Sequence, residues 1–166
     1  MQLLARCALV ALMATTMAGC YESAFPLDAS PKAAVDPKLL ATWRCITADA
    51  DGDAVSLVIT RARPDVYGVS LEEKGETPDR YEAYASVVGG VTLLNIRELK
   101  PSTKPWVFGR YELLRPDVFY LQVVADRAMK GVAATRVAVR SALERLVRDP
   151  AAFENSITCV RIKDAK

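Results

Sequence analysis

From Leu39 to Val124 the chain is broken by turn residues into short alternating runs, roughly 10–14 residues apart, and that rhythm admits few folds. Val55, Leu57 and Ile59 alternate with Ser56, Val58 and Thr60, and Tyr67, Val69 and Leu71 alternate with Gly68, Ser70 and Glu72. Successive side chains on a strand point to opposite faces, so a period of two means one face turned to a core. Asp49–Asp53, Arg63-Pro64-Asp65, Gly75–Asp79, Gly89-Gly90, Lys100–Pro105 and Arg115-Pro116-Asp117 separate the runs. These are residues that turn a chain. Seven strands are predicted: Leu39–Ala48, a run through Val55–Thr60, Val66–Glu73, Arg80–Val87, Val91–Leu99, Trp106–Leu114 and Val118–Val124.

The period then changes. Between Thr135 and Asp149, Val139, Leu143, Leu146 and Val147 share one helical face, with Arg136, Arg140, Glu144 and Arg148 mostly opposite, and Pro150 ends the pattern. Ser156–Lys163 reads as an eighth strand. The expected fold is all-β: an antiparallel meander of about eight strands forming a closed or nearly closed small barrel, with one helix before the last strand. Closure would remove the sheet edges that invite aggregation.

The first nineteen residues differ in kind. Arg6 is their one charge, Cys7–Met13 is an apolar run, and Ala14–Gly19 is small and mildly polar. This is the pattern of a secretory signal, and the run is too short for a bilayer span of about 20 residues. Met17-Ala18-Gly19-Cys20 resembles the lipobox of bacterial lipoproteins, with Met where that motif usually has Leu. The resemblance implies cleavage before Cys20 and a diacylglycerol on its thiol. It implies a lipid-anchored protein of the bacterial cell envelope. Tyr21, where retained lipoproteins carry Asp, implies the outer membrane, facing the periplasm. Residues 1–19 are thus expected to be a signal peptide and 20–37, with Pro26, Pro31 and Pro37, a lipidated flexible tether. Residues 38–166 are expected to form a single barrel-like domain.

In an oxidising envelope the two remaining mature cysteines, Cys45 and Cys159, are most simply a disulfide joining the first and last strands. Their Cα atoms are then expected about 4.4–6.8 Å apart. Leu40-Ala41-Thr42-Trp43 resembles the Gly-x-Trp that opens lipocalin-type barrels, with Ala41 at the Gly position. Such barrels carry a late Arg that lies across the Trp, and Arg161 is the candidate here. If Cys45 stands opposite Cys159 in an antiparallel pair, Trp43 stands opposite Arg161, a barrel-closing pair.

Composition excludes several chemistries. The chain has 22 basic and 20 acidic residues, and no basic run interleaved with aromatics that nucleic acid would require. It has no histidine, so Ser-His-Asp and Cys-His catalysis are ruled out. Neither a phosphate-cradling glycine loop nor a CxxC pair is present, and no cofactor is expected. Asp49, Asp51 and Asp53 have the spacing a hard cation such as Ca²⁺ wants, against the simpler reading of a solvated hairpin turn. Arg136, Arg140 and Arg148 are candidates for anionic headgroups or an ordinary solvated face. Tyr67, Tyr81, Tyr111 and Phe119 are expected to point inward, either filling the barrel or lining a cavity. The leading expectation is a non-catalytic interaction or assembly module with an envelope protein partner. The alternatives are a binding protein for a small apolar ligand and a carboxylate-dependent envelope enzyme.

Overall fold

The computed structural model describes residues 19–47, 54–72, 77–100 and 104–164. Among the described residues nine strands form one antiparallel sheet: β1 (Glu22–Ser23), β2 (Ala41–Thr47), β3 (Val55–Arg63), β4 (Val66–Glu72), β5 (Asp79–Val88), β6 (Val91–Glu98), β7 (Trp106–Arg115), β8 (Val118–Val124) and β9 (Phe153–Asp164). The meander runs from β2 to β8. β9 then returns to sit between β8 and β2, and β8 also pairs with β7, so eight strands close into a barrel. The β5–β6 hairpin turns on Gly89 (φ 55°) and Gly90 (φ 80°), as a two-residue turn with both central φ positive requires. A Cβ at Gly89 would also lie 3.1 Å from the Glu144 carbonyl oxygen.

The α-helix α1 (Arg136–Leu146) precedes β9, and its first turn is capped by the Thr135 hydroxyl accepting from the Ala138 N–H at 3.2 Å. β9 starts three residues earlier than Ser156, and the first long strand starts at Ala41 because Pro37–Leu39 forms a 3-10 turn.

Two apolar cores lie on opposite sides of the same wall. Inside the barrel are Ala41, Trp43, Cys45, Ile59, Tyr67, Ala83, Ala85, Leu94, Phe119 and Cys159. Outside, Tyr84, Val88, Leu93, Phe108, Val124 and Phe153 are covered by Val139, Ala142, Leu143 and Val147 of the helix region and by Leu27. Residues 83–88 carry apolar groups on both faces (Ala83, Tyr84, Ala85, Val87, Val88), so a one-layer wall would leave one set in water.

The segment 20–37 helps to cover that outer face, and the expected free tether is corrected to a strap. Cys20 bridges Ala125 just beyond β8, and Glu22 and Ser23 pair with Val107 and Trp106 at the start of β7. Leu27 is 1% exposed and Val35 is 5% exposed. Prolines forbid a regular ladder here but not packing. The strap is held by side chains instead. Asn95, fully buried on the outer face of β6, accepts from the Leu27 N–H at 2.7 Å and donates to the Ser86 hydroxyl at 2.9 Å and the Tyr84 carbonyl at 3.1 Å. The Tyr84 hydroxyl donates to the Asp28 carbonyl at 2.7 Å, and burial pushes that phenol up to about 12. Further along, the Val35 N–H reaches the Pro64 carbonyl at 3.1 Å, carrying the strap to the opposite end of the barrel.

Candidate functional site: an apolar cup with a clamped floor

One end of the barrel is sealed from below. Cys45 and Cys159 are joined, with Cα atoms 4.0 Å apart, slightly nearer than the expected span. They stand directly opposite each other on β2 and β9, where narrow antiparallel pairs approach about 4.5 Å. Two residues on, Trp43 stands opposite Arg161, and the guanidinium carbon lies 4.8 Å from the indole centroid. The indole is fully buried, donates to the Leu39 carbonyl at 2.9 Å and meets Phe119 edge-on, with centroids 4.7 Å apart. Arg161 donates to the Lys38 carbonyl, and its own N–H meets the Asp117 carbonyl at 2.8 Å. Arg161 therefore ties the strap's end through its guanidinium and the β7–β8 turn through its backbone N–H.

Two phenols complete this floor. The Tyr67 hydroxyl accepts from the Asp36 N–H at 2.6 Å, and the Tyr111 hydroxyl lies 3.4 Å from an Asp36 carboxylate oxygen. Burial raises the pKa of both.

The other end is different. The register puts Val55, Leu57, Val69, Leu71, Tyr81, Ile96, Leu121 and Ile157 on the inner face, yet each is only half-buried. They form an apolar cup above the Trp43 floor, towards the end where β3 begins and β4 and β6 end; the loops 48–53, 73–76 and 101–103 at that end lie outside the described residues. Gly109 keeps it wide, since a Cβ there would meet the Leu121 Cδ1 at 3.1 Å and the Ile96 Cδ1 at 3.5 Å. Glu98, facing inward beside Tyr81, is paired with Lys104 at 3.2 Å on the rim.

The sequence-derived candidates sort clearly. Tyr67, Tyr81, Tyr111 and Phe119 all sit on the inner face. Arg136, Arg140 and Arg148, expected as headgroup contacts or a solvated face, are engaged by the protein itself. Arg136 donates to the Pro26 carbonyl at 3.1 Å, Arg140 to the Val87 carbonyl at 2.7 Å, and Arg148 to the Gly89 carbonyl at 3.2 Å. Arg140 also pairs with Asp28 at 3.2 Å. Burial works against the Asp28 charge, but hydrogen bonds from Ser86 and Lys32 and the charges of Arg140 and Lys32 outweigh it, holding the carboxyl below its ordinary range. Asp49, Asp51 and Asp53 and residues 1–18 lie outside the described residues. Among the described residues no cluster of three or more metal-ligating side chains occurs, and no helix is long and apolar enough to cross a membrane.

What sequence reasoning missed is the half-open state of the inner aliphatics and the position of Cys20. Alternation says which way a side chain points, not how far the neighbours close over it. Cys20 is buried and packs with Val107 and Val123, both on the inner face. No protein-family model, curated protein or solved structure matches the chain.

Proposed function

We propose that this chain is a lipid-anchored, non-catalytic protein of the bacterial cell envelope, held to the outer membrane on its periplasmic side, that carries a small apolar ligand in its cup. The observation that supports ligand carriage is the ring of half-buried aliphatic side chains above a sealed floor. Eight-stranded barrels either fill their own interior or hold one small ligand, and inner side chains left part-exposed towards one end support the second. Apolar walls with few polar groups are what such sites need. The Met17–Cys20 motif carries the anchoring.

The test for the cup is a fluorescent apolar dye titrated into purified protein. Saturable binding at one site, lost in Leu57→Asp while the β-sheet circular dichroism is kept, supports the reading. Equal binding by both proteins removes it. The test for the anchor is labelled palmitate, which is expected in the wild type and absent from Cys20→Ser.

A second reading, an envelope interaction module, is favoured by one feature. Ile46 of β2 and Val160 and Ile162 of β9, on adjacent strands, are 56%, 46% and 57% exposed on the outer wall away from the helix. Capture of an envelope protein that Val160→Lys abolishes, with dye binding unchanged, would establish this reading instead.

A further inference from the structure

We infer that the α-amine freed by cleavage before Cys20 is held as an ammonium by the Glu154 carboxylate, and that this nitrogen carries no acyl chain of its own. The inference rests on the anchoring reading above and names the chemical form of the anchor.

Three observations lead there. The first is that the cut site is built into the barrel wall. The register of β7 with β8 ends at Gly109 and Val123, and the chain from Cys20 to Ser23 continues the wall beyond that point. On one side Cys20 bridges Ala125, and the Tyr21 N–H donates to the Val124 carbonyl at 2.9 Å. On the other, Glu22 and Ser23 pair with Val107 and Trp106. The new N-terminus therefore has a fixed place, since the three residues back to Ser23 reach at most about 10–11 Å.

The second is what faces that place. A Cβ on Gly19 would lie 3.2 Å from the Glu154 Cδ and nearer still to its Oε1. The Cys20 nitrogen is two bonds from the Gly19 Cα, which puts it within about 6 Å of that oxygen by bond lengths. At such range a carboxylate favours the charged form of an amine. Cleavage removes Gly19, and with it the bond its carbonyl accepts from the Asp126 N–H at 2.7 Å. It leaves a primary amine that can turn onto the carboxylate in the space Gly19 held.

The third is the charge balance. Glu154 gives its other oxygen, Oε2, to the Arg127 guanidinium. Asp126 stands at the same terminus: burial pushes the Tyr21 phenol up, and the Asp126 charge adds to the rise. Two carboxylates against one guanidinium leave a negative charge over, where the uncut chain offers only a neutral peptide bond. An ammonium supplies the missing positive charge. An amide, the product of acylating that nitrogen, does not. The Glu154 side chain is 19% exposed, so salt and water screen the pair only in part. A protonated amine also has no lone pair with which to attack an acyl donor. The two chains of a diacylglycerol on the thiol suffice for stable anchoring.

The lipidated protein is purified from membranes in detergent, and the mass of its N-terminal peptide is measured. Its α-amine is then titrated by NMR after isotope-labelled reductive methylation. The expected peptide begins at Cys20 and carries two acyl chains, both on the diacylglycerol. The expected α-amine pKa lies above the unpaired range of about 7.7–8.0 and falls by at least about one unit, tenfold in proton affinity, in Glu154→Gln. A third chain in amide linkage to Cys20 overturns the inference and leaves the anchoring reading intact. So does an amine that titrates alike in both proteins. A peptide beginning at Cys20 without lipid removes the anchoring reading, and the titration still decides the ion pair. A chain left uncut removes both. Arg127 is exposed, so Arg127→Gln serves if Glu154→Gln fails to fold. There the amine pKa should rise, because Glu154 then answers to the amine alone, and an unmoved value overturns the pair.

Discussion

The inner and outer cores of this barrel are built on different principles. The inner core is a matter of register: alternate residues of eight strands meet, and one disulfide and one Trp–Arg pair fix how the last strand meets the first. The outer core has no such lattice. A helix and an irregular strap lie on β5, β6 and β7, and a few polar groups hold them: the buried Asn95, Asp28 and Tyr84 and the half-buried Arg140. A ladder distributes its stability over many equivalent bonds, whereas the strap's hold is concentrated in a few. The inner core should therefore fail as a whole, and the outer core should peel.

Breaking the inner core gives the largest effects. Trp43→Ala removes a fully buried indole and is expected to cost about 3–5 kcal/mol, lowering the chemical-denaturation midpoint of the entire protein in a single transition. Replacing both cysteines, Cys45→Ala with Cys159→Ala, opens a loop of sequence separation 114 and is expected to cost about 2–5 kcal/mol, again global. A midpoint unmoved by either change would show that closure does not depend on this strand pair.

Breaking the outer core should be smaller and local. Asn95→Leu leaves the Leu27 N–H and the Ser86 hydroxyl without their buried partner, at about 1–3 kcal/mol. Amide exchange should accelerate over residues 24–36 while β2, β3 and β9 stay protected. Uniform acceleration would mean that the two cores are one cooperative unit. Arg161→Lys probes the inner core at similar sensitivity. It keeps the charge but loses the planar group over Trp43, and about 0.5–1 kcal/mol is expected in the denaturation midpoint.

The mildest test is acid. The Asp28 carboxyl is held below its unfolded value, so its contribution is complete above the unfolded pKa, about 3.9, and is lost as pH falls through the folded one. Below about pH 4 the strap should exchange faster, and Asp28→Asn should abolish that pH dependence. An unchanged acid profile in Asp28→Asn would place the sensitivity elsewhere.

The same contrast explains what could be read from residues alone. The inner core was legible because it is periodic: Val55, Leu57 and Ile59 announce their face, and Cys45 opposite Cys159 brings Trp43 opposite Arg161 by counting. The outer core announced itself only by a break in that rule. The run Ala83–Val88 is apolar on both faces, and this was the available signal that a second layer must cover it. The strap was illegible because Leu27 and Val35 are lone apolar residues among prolines, and their partners are set by tertiary contact. Leu27 meets Asn95 across 68 residues, and Asp28 meets Arg140 across 112. The cup was half legible. The inward direction of Leu57, Val69 and Leu121 followed from alternation, while the sealed floor beneath them depended on where Leu39 and Asp36 come to rest.

The pairing of β2 with β9 also sets a timetable. The earliest long strand of the chain has the latest as its neighbour, so that seam cannot form until nearly every residue is present. Closing so long a loop carries an entropy cost before any contact repays it, and chains dominated by distant contacts fold slowly, over milliseconds to seconds. While residues emerge in order, β2 has only β3 beside it, and the strap has no wall to lie on until β5, β6 and β7 follow. Until β9 is made, the sheet from β2 to β8 keeps the edges of β2 and β8 unpaired, the condition that invites strands of other chains.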